Sequence, residues 1–352
     1  MAAVLGLLLS LPACGGNRNP NSKPKFAIVT NCVDPFWDIC QAGAMKGAAD
    51  FEADVNFRQP VDGNTNGQMK EVDDVVRLGL DGLAVSVFNP KEQTPRLKLI
   101  AQDLPKNNFL TMDNDAEGTG RLAYIGVDNF LAGKEVGRQV KLAMPGGGTV
   151  AVFIGTTDSD NSKKRIAGVL SELGGEDVLA EVLKGNYRET YGKYTLHRKE
   201  PITDGMAKDK AASNASDVMS QLEGKPNLCF VGLYAYNPAK IAEAAGKKGL
   251  LGKVAIVGFD EDLVTLEGIE KGDIFASVSQ DPFGYGYETV RWLAHVYRDG
   301  DKSKLPQKAS AHSVITKDGG DDLERDGLKI KQRKAAEYRK LVSDAQTKSA
   351  TK

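Results

Sequence analysis

The sequence has few of the residues that build metal centres and disulfide frameworks. It contains four cysteines and three histidines in 352 residues, and no two cysteines stand in a CxxC pair. Paired cysteines and histidines at short spacing are the usual ligands of structural zinc, and disulfide-stabilised domains are far richer in cysteine. We therefore predict no metal site and no disulfide scaffold.

An excess of charge of one sign is also missing. The chain has 46 Lys and Arg against 47 Asp and Glu, a formal net charge of −1. Proteins that bind nucleic acid through its phosphates carry a basic surface, and this balance provides none. We therefore expect no nucleic-acid partner.

The sequence lacks the residue patterns of a cofactor-dependent or acid–base enzyme. Residues 30–34, which follow the first apolar run, contain no glycine that would let the backbone approach a pyrophosphate. Glycines 146–148 precede an apolar run and therefore indicate a turn. His197, His295 and His312 lie in unrelated segments. We predict a protein that is not an enzyme and has no cofactor.

The N-terminus is apolar but too short to span a bilayer. Residues 1–14 have the length of a signal-peptide core, and Leu-Pro-Ala-Cys-Gly at 11–15 resembles a bacterial lipobox. Pro12 and the lack of a preceding Lys or Arg depart from that pattern. We expect residues 1–24 to be a signal peptide and flexible tether, with Cys14 lipidated and the membrane reached by this anchor only. The alternative is a frayed apolar end with an inert cysteine.

Apolar runs alternate with helical spacing along the rest of the chain. With 41% hydrophobic and 26% charged residues, the length suits two α/β domains. A strand–helix alternation of this kind predicts doubly wound parallel sheets with helices on both faces. The predicted strands are 26–29, 55–57, 82–87, 109–112, 122–127, 149–154, 178–183, 228–232, 254–259, 275–279 and 311–315.

Polar side chains stand at the C-terminal ends of several predicted strands. In parallel sheets these ends meet in one crevice, so the side chains should converge. Carboxylates and amides hydrogen-bond to hydroxyls and aromatic rings stack on sugar C–H faces, a combination that favours a small neutral polyol. The residues are Thr30, Asp34, Asn89, Asp113, Tyr234, Asn237, Asp260 and Gln280, with Phe36 and Trp37 opening the first helix.

The order and spacing of several short motifs give residues 25–316 a family resemblance. The motifs are Val29-Thr30 with Asp34-Pro35-Phe36-Trp37, Leu110-Thr111-Met112-Asp113, Asn161-Ser162-Lys163-Lys164-Arg165 with Gly168, Gly232-Leu233-Tyr234-Ala235-Tyr236-Asn237, Val257-Gly258-Phe259-Asp260 and Ser279-Gln280-Asp281. Together they resemble the periplasmic sugar-binding proteins of ABC importers, the ribose-binding type of the type I periplasmic-binding-protein fold.

The resemblance implies two similar lobes joined by a three-strand hinge, with the ligand in the interlobe cleft. We expect an N-terminal lobe of 25–127 with 281–305 and a C-terminal lobe of 128–280 with 306–317, followed by a charged tail, 318–352, forming a solvated helix docked loosely on the body. By position, Phe36 and Trp37 would stack on the sugar. Asp113, Arg165, Asp260 and Gln280 would bind its hydroxyls, with Thr30 and Asp34 secondary.

Two positions depart from the ribose-binding pattern. Asn114 follows Asp113 where an arginine is usual, and Ala235 replaces an expected polar contact. Tyr234, Tyr236 and Asn237 are the candidates to take over that contact, and the identity of the sugar stays open.

The resemblance implies an extracytoplasmic lipoprotein, in the periplasm or at the cell surface. It would capture a neutral monosaccharide as a monomer and deliver it to an ABC permease. The sequence leaves open a sugar-sensing lipoprotein that signals to a membrane receptor or kinase, since both would present the ligand-bound form to a membrane partner.

Overall fold

The first sheet has five parallel strands. In the computed structural model, which describes residues 22–350, these are β1 (Lys25–Val29), β2 (Asp54–Arg58), β3 (Gly82–Val85), β4 (Phe109–Met112) and β5 (Tyr124–Ile125). Their order is β2-β1-β3-β4-β5, and each neighbouring pair is parallel. Helices α1 (Pro35–Asp50), α2 (Thr65–Val76) and α3 (Pro90–Asp103) connect the first four strands.

The second sheet is larger and ends in an antiparallel portion. Its strands are β6 (Gly148–Ile154), β7 (Thr190–Tyr191), β8 (Tyr194–Leu196), β9 (Ile202–Thr203), β10 (Leu228–Gly232), β11 (Ala255–Phe259), β12 (Ala276–Ser279), β13 (Ser313–Thr316), β14 (Leu323–Arg325) and β15 (Leu328–Lys334). The order is β14-β15-β13-β12-β11-β10-β6-β8-β7, with β9 also pairing with β6. The strands from β6 to β12 in the sheet centre are parallel, as predicted.

Eight further α-helices complete the described chain. They are α4 (Asn129–Ala143), α5 (Asp160–Gly174), α6 (Leu179–Leu183), α7 (Lys208–Gln221), α8 (Asn237–Lys247), α9 (Leu263–Lys271), α10 (Pro282–Asp299) and α11 (Ala335–Ala350). Helix α10 returns to the first sheet and packs on α1. Two doubly wound α/β lobes result, which confirms the predicted fold class. Among residues 22–350, no helix combines the length and the apolar character needed to cross a bilayer.

The small face of α1 contacts α10 at very short range. A Cβ atom on Gly43 would lie 1.9 Å from the carbonyl oxygen of Phe283, and one on Gly286 would lie 1.9 Å from that of Cys40. Any larger side chain at these positions would push the two helices apart. The small residues of α1 and α10 therefore fix a close helix–helix contact.

The chain passes between the lobes at three places that lie side by side. The first follows β5, the second joins β12 to α10, and the third leads from α10 to β13. The backbone N–H of Ser310 donates to the carbonyl of Gly126 at 2.7 Å, and Val127 pairs with Ser310 in a parallel bridge. The hydroxyl of Tyr285 accepts a hydrogen bond from the N–H of Val127 at 2.9 Å. These bonds tie the hinge segments together.

The prediction of a strand at 178–183 is wrong. The segment forms the short helix α6, with Val178 at its N-terminal end and Val182 buried. The edge of the sheet is instead completed by the hairpin of β7 and β8, whose Tyr191 and Tyr194 are almost fully buried. Glu181 interrupts the large apolar residues, which stand at 178, 179, 182 and 183, a spacing that suits one face of a helix.

The prediction of a loosely docked, solvated tail is also wrong. Strand β15 pairs parallel to β13, and β14 pairs antiparallel to β15, so the tail extends the second sheet. Helix α11 then contacts both α9 and α1, which belong to different lobes. Ile330, Tyr338 and Val342 are buried, whereas Leu341 is 59% exposed.

Candidate functional site

Two aspartates occupy equivalent positions at the strand ends of the two lobes. Asp113 follows β4 and Asp260 follows β11, and each is only 4% exposed. Both have left-handed backbones, with φ of 60° and 66°. Aspartate tolerates this conformation better than most residues, and its use at both strand ends turns each carboxylate out of the strand path.

Arg165, on α5, lies close to these carboxylates and is held in one orientation. Its Nε donates to Oδ1 of Asn129 at 2.8 Å and its Nη1 to the carbonyl of Leu233 at 2.9 Å. Nη1 is 4.0 Å from Oδ2 of Asp260, and the guanidinium lies 3.9 Å above the centre of the Phe259 ring. The side chain is 2% exposed, so its charge acts on the carboxylates with little screening by water.

Burial raises the pKa of both aspartates. It raises the pKa of Asp113, an effect opposed by Arg165 and by a hydrogen bond from Ser86, whose Oγ donates to Oδ2 at 2.9 Å. Burial likewise raises the pKa of Asp260 to about 7, against the lowering effects of Arg165 and Gln280, and the charge of Asp113 raises it further. The aspartates of the two lobes therefore interact electrostatically across the cleft between them.

Gln280 and Tyr285, which lie at the second crossing between the lobes, are hydrogen-bonded to this polar cluster. Nε2 of Gln280 donates to Oδ1 of Asp260 at 2.8 Å, and the hydroxyl of Tyr285 donates to Oε1 of Gln280 at 3.4 Å. Both residues are nearly fully buried. Because Tyr285 also accepts from the hinge backbone at Val127, the polar cluster is connected to the first crossing as well.

The aromatic pair at the start of α1 is buried. Phe36 is 8% and Trp37 2% exposed, and their rings meet edge to face with centroids 4.9 Å apart. Nε1 of Trp37 donates to Oδ1 of Asn31 at 3.2 Å, and the ring of Phe36 lies 6.5 Å from that of Tyr285. The rings thus have fixed orientations at the same end of the first sheet as Asp113.

Two predicted residues in the loop after β1 have structural contacts of their own. Thr30 is fully buried, and its Oγ1 donates to the carbonyl of Cys32 at 3.0 Å. Asp34 caps α1 by accepting from the N–H of Phe36 at 3.1 Å, and its Oδ2 lies 3.0 Å from Nζ of Lys208, at the start of α7. This ion pair connects the two lobes.

Asn114 makes a second contact between the lobes. Its Oδ1 accepts from the N–H of Asn161, at the start of α5, at 3.3 Å, while its Nδ2 donates to the carbonyl of Val87. The residue is 1% exposed. A neutral amide at this position can accept from the opposite lobe, which the arginine usual in the ribose-binding pattern could not do.

Tyr234 and Asn237 follow β10 and contact different partners. The hydroxyl of Tyr234 is 2.9 Å from that of Ser162, on α5. Oδ1 of Asn237 accepts from the N–H of Tyr234 at 3.0 Å, and its Nδ2 donates to Oδ2 of Asp204 at 3.0 Å. The amide of Asn237 is therefore used to shape the loop itself.

Asp204 is a buried acid that the sequence analysis missed. It is 2% exposed and also accepts from the hydroxyl of Tyr236 at 2.6 Å. It follows β9, which has only two residues and gives no strand signal in the sequence. The turn-forming pair with Gly205 was the available hint.

The described residues contain no group of three or more His, Cys, Asp and Glu that could hold a metal ion. Cys32, Cys40 and Cys229 are free thiols, and burial raises the pKa of Cys32 to about 12. Cys14, the predicted lipidation site, and the leader before Ser22 lie outside the described residues.

A curated relative is similar in sequence, and solved structures are similar in fold, along most of this chain. The D-allose-binding periplasmic protein of Escherichia coli K12 is 22% identical over 333 residues, 89% of this chain and 96% of that protein. A solute-binding protein of an ABC transporter from Burkholderia graminis, solved in complex with D-arabinose, matches 86% of this chain and 98% of its own with a TM-score of 0.72 and 24% identity. A chain of the XylFII–LytSN complex matches 84% of this chain and 98% of its own at 21% identity, with a TM-score of 0.69.

A family model decides the assignment. The model described as a periplasmic binding protein domain matches residues 26–302, which include the parallel centres of both sheets and every predicted ligand-binding residue from Thr30 to Gln280. The structural neighbours show the same two-lobe fold at low sequence identity. The chain therefore belongs to the periplasmic binding protein family.

Proposed function

We propose that this protein captures a neutral monosaccharide between its lobes, outside the cytoplasm, and delivers it to an ABC sugar importer. The observation that carries the proposal is the pair of strand-end carboxylates, Asp113 and Asp260, with Arg165 beside Asp260. Carboxylates accept hydrogen bonds from sugar hydroxyls, and a single buried arginine offsets part of their charge. The sugar names of the allose- and arabinose-binding relatives point to the same ligand class.

The aromatic pair provides the apolar part of the proposed site. Phe36 and Trp37 lie buried at the same end of the first sheet as Asp113, and in the proposal their rings stack on the C–H faces of a pyranose held between the lobes. Thr30, Asp34, Asn114, Tyr234 and Asn237 support this site mainly by fixing its loops. No residue in the proposal has a catalytic role, and binding requires neither a metal nor a cofactor.

Closure of the lobes would convert sugar binding into a signal for the membrane partner. In the proposal, residues 25–127 and 281–305 move together as one body. Residues 128–280 and 306–317 move as the other body, which includes the tail strands β14 and β15 of the second sheet. The ion pair of Asp34 with Lys208 and the bond of Asn161 to Asn114 form only when the lobes meet. Lipidation at Cys14 would keep a monomeric binding protein at the membrane surface.

Ligand screening by thermal shift tests the sugar assignment. A sugar at one hundred times its Kd should add about 2.7 kcal/mol to the free energy of unfolding. Pentoses and hexoses are screened beside amino acids, nucleosides and phosphates. A melting-point shift with an amino acid or a nucleoside alone would reject the sugar assignment.

Calorimetry on Asp113→Asn and Asp260→Asn then tests the site. Asparagine keeps the shape of the side chain and tolerates the left-handed backbone, so the fold should survive. Each variant should lose about 1.5–3 kcal/mol of binding free energy, because a charge-assisted hydrogen bond is weakened. Asp103→Asn, an exposed carboxylate at the end of α3, is the matched control. Unchanged affinity in both site variants would remove these residues from the site.

A sensing role is the second candidate, favoured by the match to the XylFII–LytSN complex. Its distinguishing test is genomic and biochemical. A neighbouring ATPase and permease, with sugar uptake lost on deletion, supports import. A neighbouring histidine kinase, with uptake unchanged and sugar-dependent transcription lost, supports sensing.

A further inference from the structure

A large groove lies outside the proposed sugar site, between α1, the edge strand β2 and the tail helix α11. Its volume is about 1420 Å³, and none of the predicted sugar-site residues lines it. Strand β2 is partly exposed along its length because it is the edge of the first sheet. The walls come from α1 of one lobe and from α11, which lies beyond the segment matched by the family model.

One end of the groove holds a buried carboxylate that lacks a full set of partners. Glu261, next to the sugar-site Asp260, is 2% exposed and lines the groove. Its Oε1 is 3.5 Å from the hydroxyl of Tyr338, but its Oε2 has no hydrogen-bond partner among the described residues. A buried acceptor left unpaired costs free energy that a ligand donor would recover.

The charges around this carboxylate favour a cation. Asp260 and Asp281 both act on Glu261 and, with burial as the largest cause, raise its pKa well above the usual range. Arg333 lines the same groove, with its guanidinium 5.5 Å from the centre of the Tyr338 ring. Its Nε is itself buried without a hydrogen-bond partner, yet within residues 22–350 the Glu261 carboxylate forms no ion pair with it or with another cationic side chain.

Much of the remaining groove wall is apolar, although Lys25, Lys46 and Asp54 also line it. The apolar lining includes Ile39 and Met45 of α1, Phe57 of β2 and Leu341 of α11, and Leu341 is 59% exposed. Apolar surface of this kind favours a hydrocarbon body, at about 25 cal/mol for each Å² removed from water. The groove therefore combines a buried, incompletely paired carboxylate with a largely apolar wall.

We propose that this groove is a second ligand site, which takes an amphipathic organic cation. The ammonium group would bind Oε2 of Glu261, and the hydrocarbon part would lie against α1, β2 and Leu341. This site goes beyond the proposed sugar capture and does not depend on it. Because its walls belong to different lobes, an occupant would also affect how readily the lobes separate.

Three probes with one chain length and different head groups test the chemistry. Decylamine, decanol and decanoate are titrated into the full chain by calorimetry, below the concentrations at which they aggregate. Decylamine should bind one-to-one, with decanol about tenfold weaker and decanoate weaker still, because the ammonium alone can donate a charge-assisted hydrogen bond to Glu261, whereas the hydroxyl donates a neutral one and the carboxylate is repelled.

Two variants separate the head-group contact from the apolar wall. Glu261→Gln should reduce decylamine affinity to that of decanol, and Leu341→Ser should weaken decylamine and decanol by a similar factor. Glu223→Gln, at an exposed position after α7, is the control and should change nothing. Equal binding of the three probes, several molecules bound per chain, or unchanged decylamine affinity in Glu261→Gln would each overturn the proposal.

Sugar titration of the same proteins keeps the two proposals distinct. Leu341 lies outside the proposed sugar site. The Leu341→Ser variant should therefore bind decylamine more weakly and keep its affinity for the sugar found by the screen. A protein that binds decylamine as described but no sugar would reject the proposed function alone. A protein that binds sugar but shows no preference for decylamine would reject this second site alone.

Discussion

Replacing Arg165 with methionine should destabilise the folded protein strongly, and more so at high pH. Removing one partner from a buried ion pair typically costs about 3–5 kcal/mol, because the remaining charge stays buried without compensation. Here the loss would leave Asp260, already with a pKa of about 7, without the guanidinium that lowers that pKa. The hydrogen bonds to Asn129 and Leu233 would be lost as well.

The pH dependence follows from the direction of the shift. In the folded state the pKa of Asp260 is about 7, against 3.8 in the unfolded chain, so the folded state binds more protons between these values. Stability from this group therefore falls as pH rises through that window. Loss of Arg165 raises the folded pKa further, so the variant should be penalised by about 3–5 kcal/mol near pH 8 and by clearly less near pH 5.

Urea unfolding at the two pH values measures this effect. Arg188→Met, which removes an exposed arginine paired with Glu176, is the matched control and should change stability by less than about 0.5 kcal/mol. Combining Arg165→Met with Asp260→Asn should recover part of the loss, with a coupling energy of about 0.5–3 kcal/mol. Additive single-variant effects, or a penalty independent of pH, would refute an electrostatic role for Arg165.

Three further predictions concern ligand binding. Sugar binding near pH 7 should release protons, because hydroxyl donors favour the ionised form of Asp260 and so lower its raised pKa. Calorimetry in buffers of different ionisation enthalpy measures this release, and equal binding heats in all buffers would contradict it. Lys208→Met should speed sugar release about twofold to fivefold at low salt and less at high salt, because the ion pair of Lys208 with Asp34 is partly exposed. Stopped-flow dissociation measures this rate, and an effect that does not depend on salt would contradict the prediction. The sugar-induced change in tryptophan emission should be lost in Trp37→Phe and kept in Trp292→Phe, and the reverse pattern would place the stacking surface elsewhere.

The local pattern of the sequence was sufficient for most of the architecture. Apolar runs that end in polar residues predicted the parallel strands, because burial on both faces demands continuous apolar side chains. Pro35 after Asp34 marked the start of α1, since proline suits the first helical turn and aspartate caps it. Asp113 and Asp260 could also be chosen from the sequence as candidate ligand-binding residues, because each directly follows a buried strand.

Only the tertiary structure decided features that depend on contacts between distant segments. The charged tail joined the second sheet because β13 offered a partner strand that no local pattern in the tail records. The positions of Asp204 beside Asn237 and of Lys208 beside Asp34 likewise depend on how separate strands and helices meet. Sequence spacing determines which face a residue occupies, whereas long-range packing determines what that face touches and how its charge is compensated.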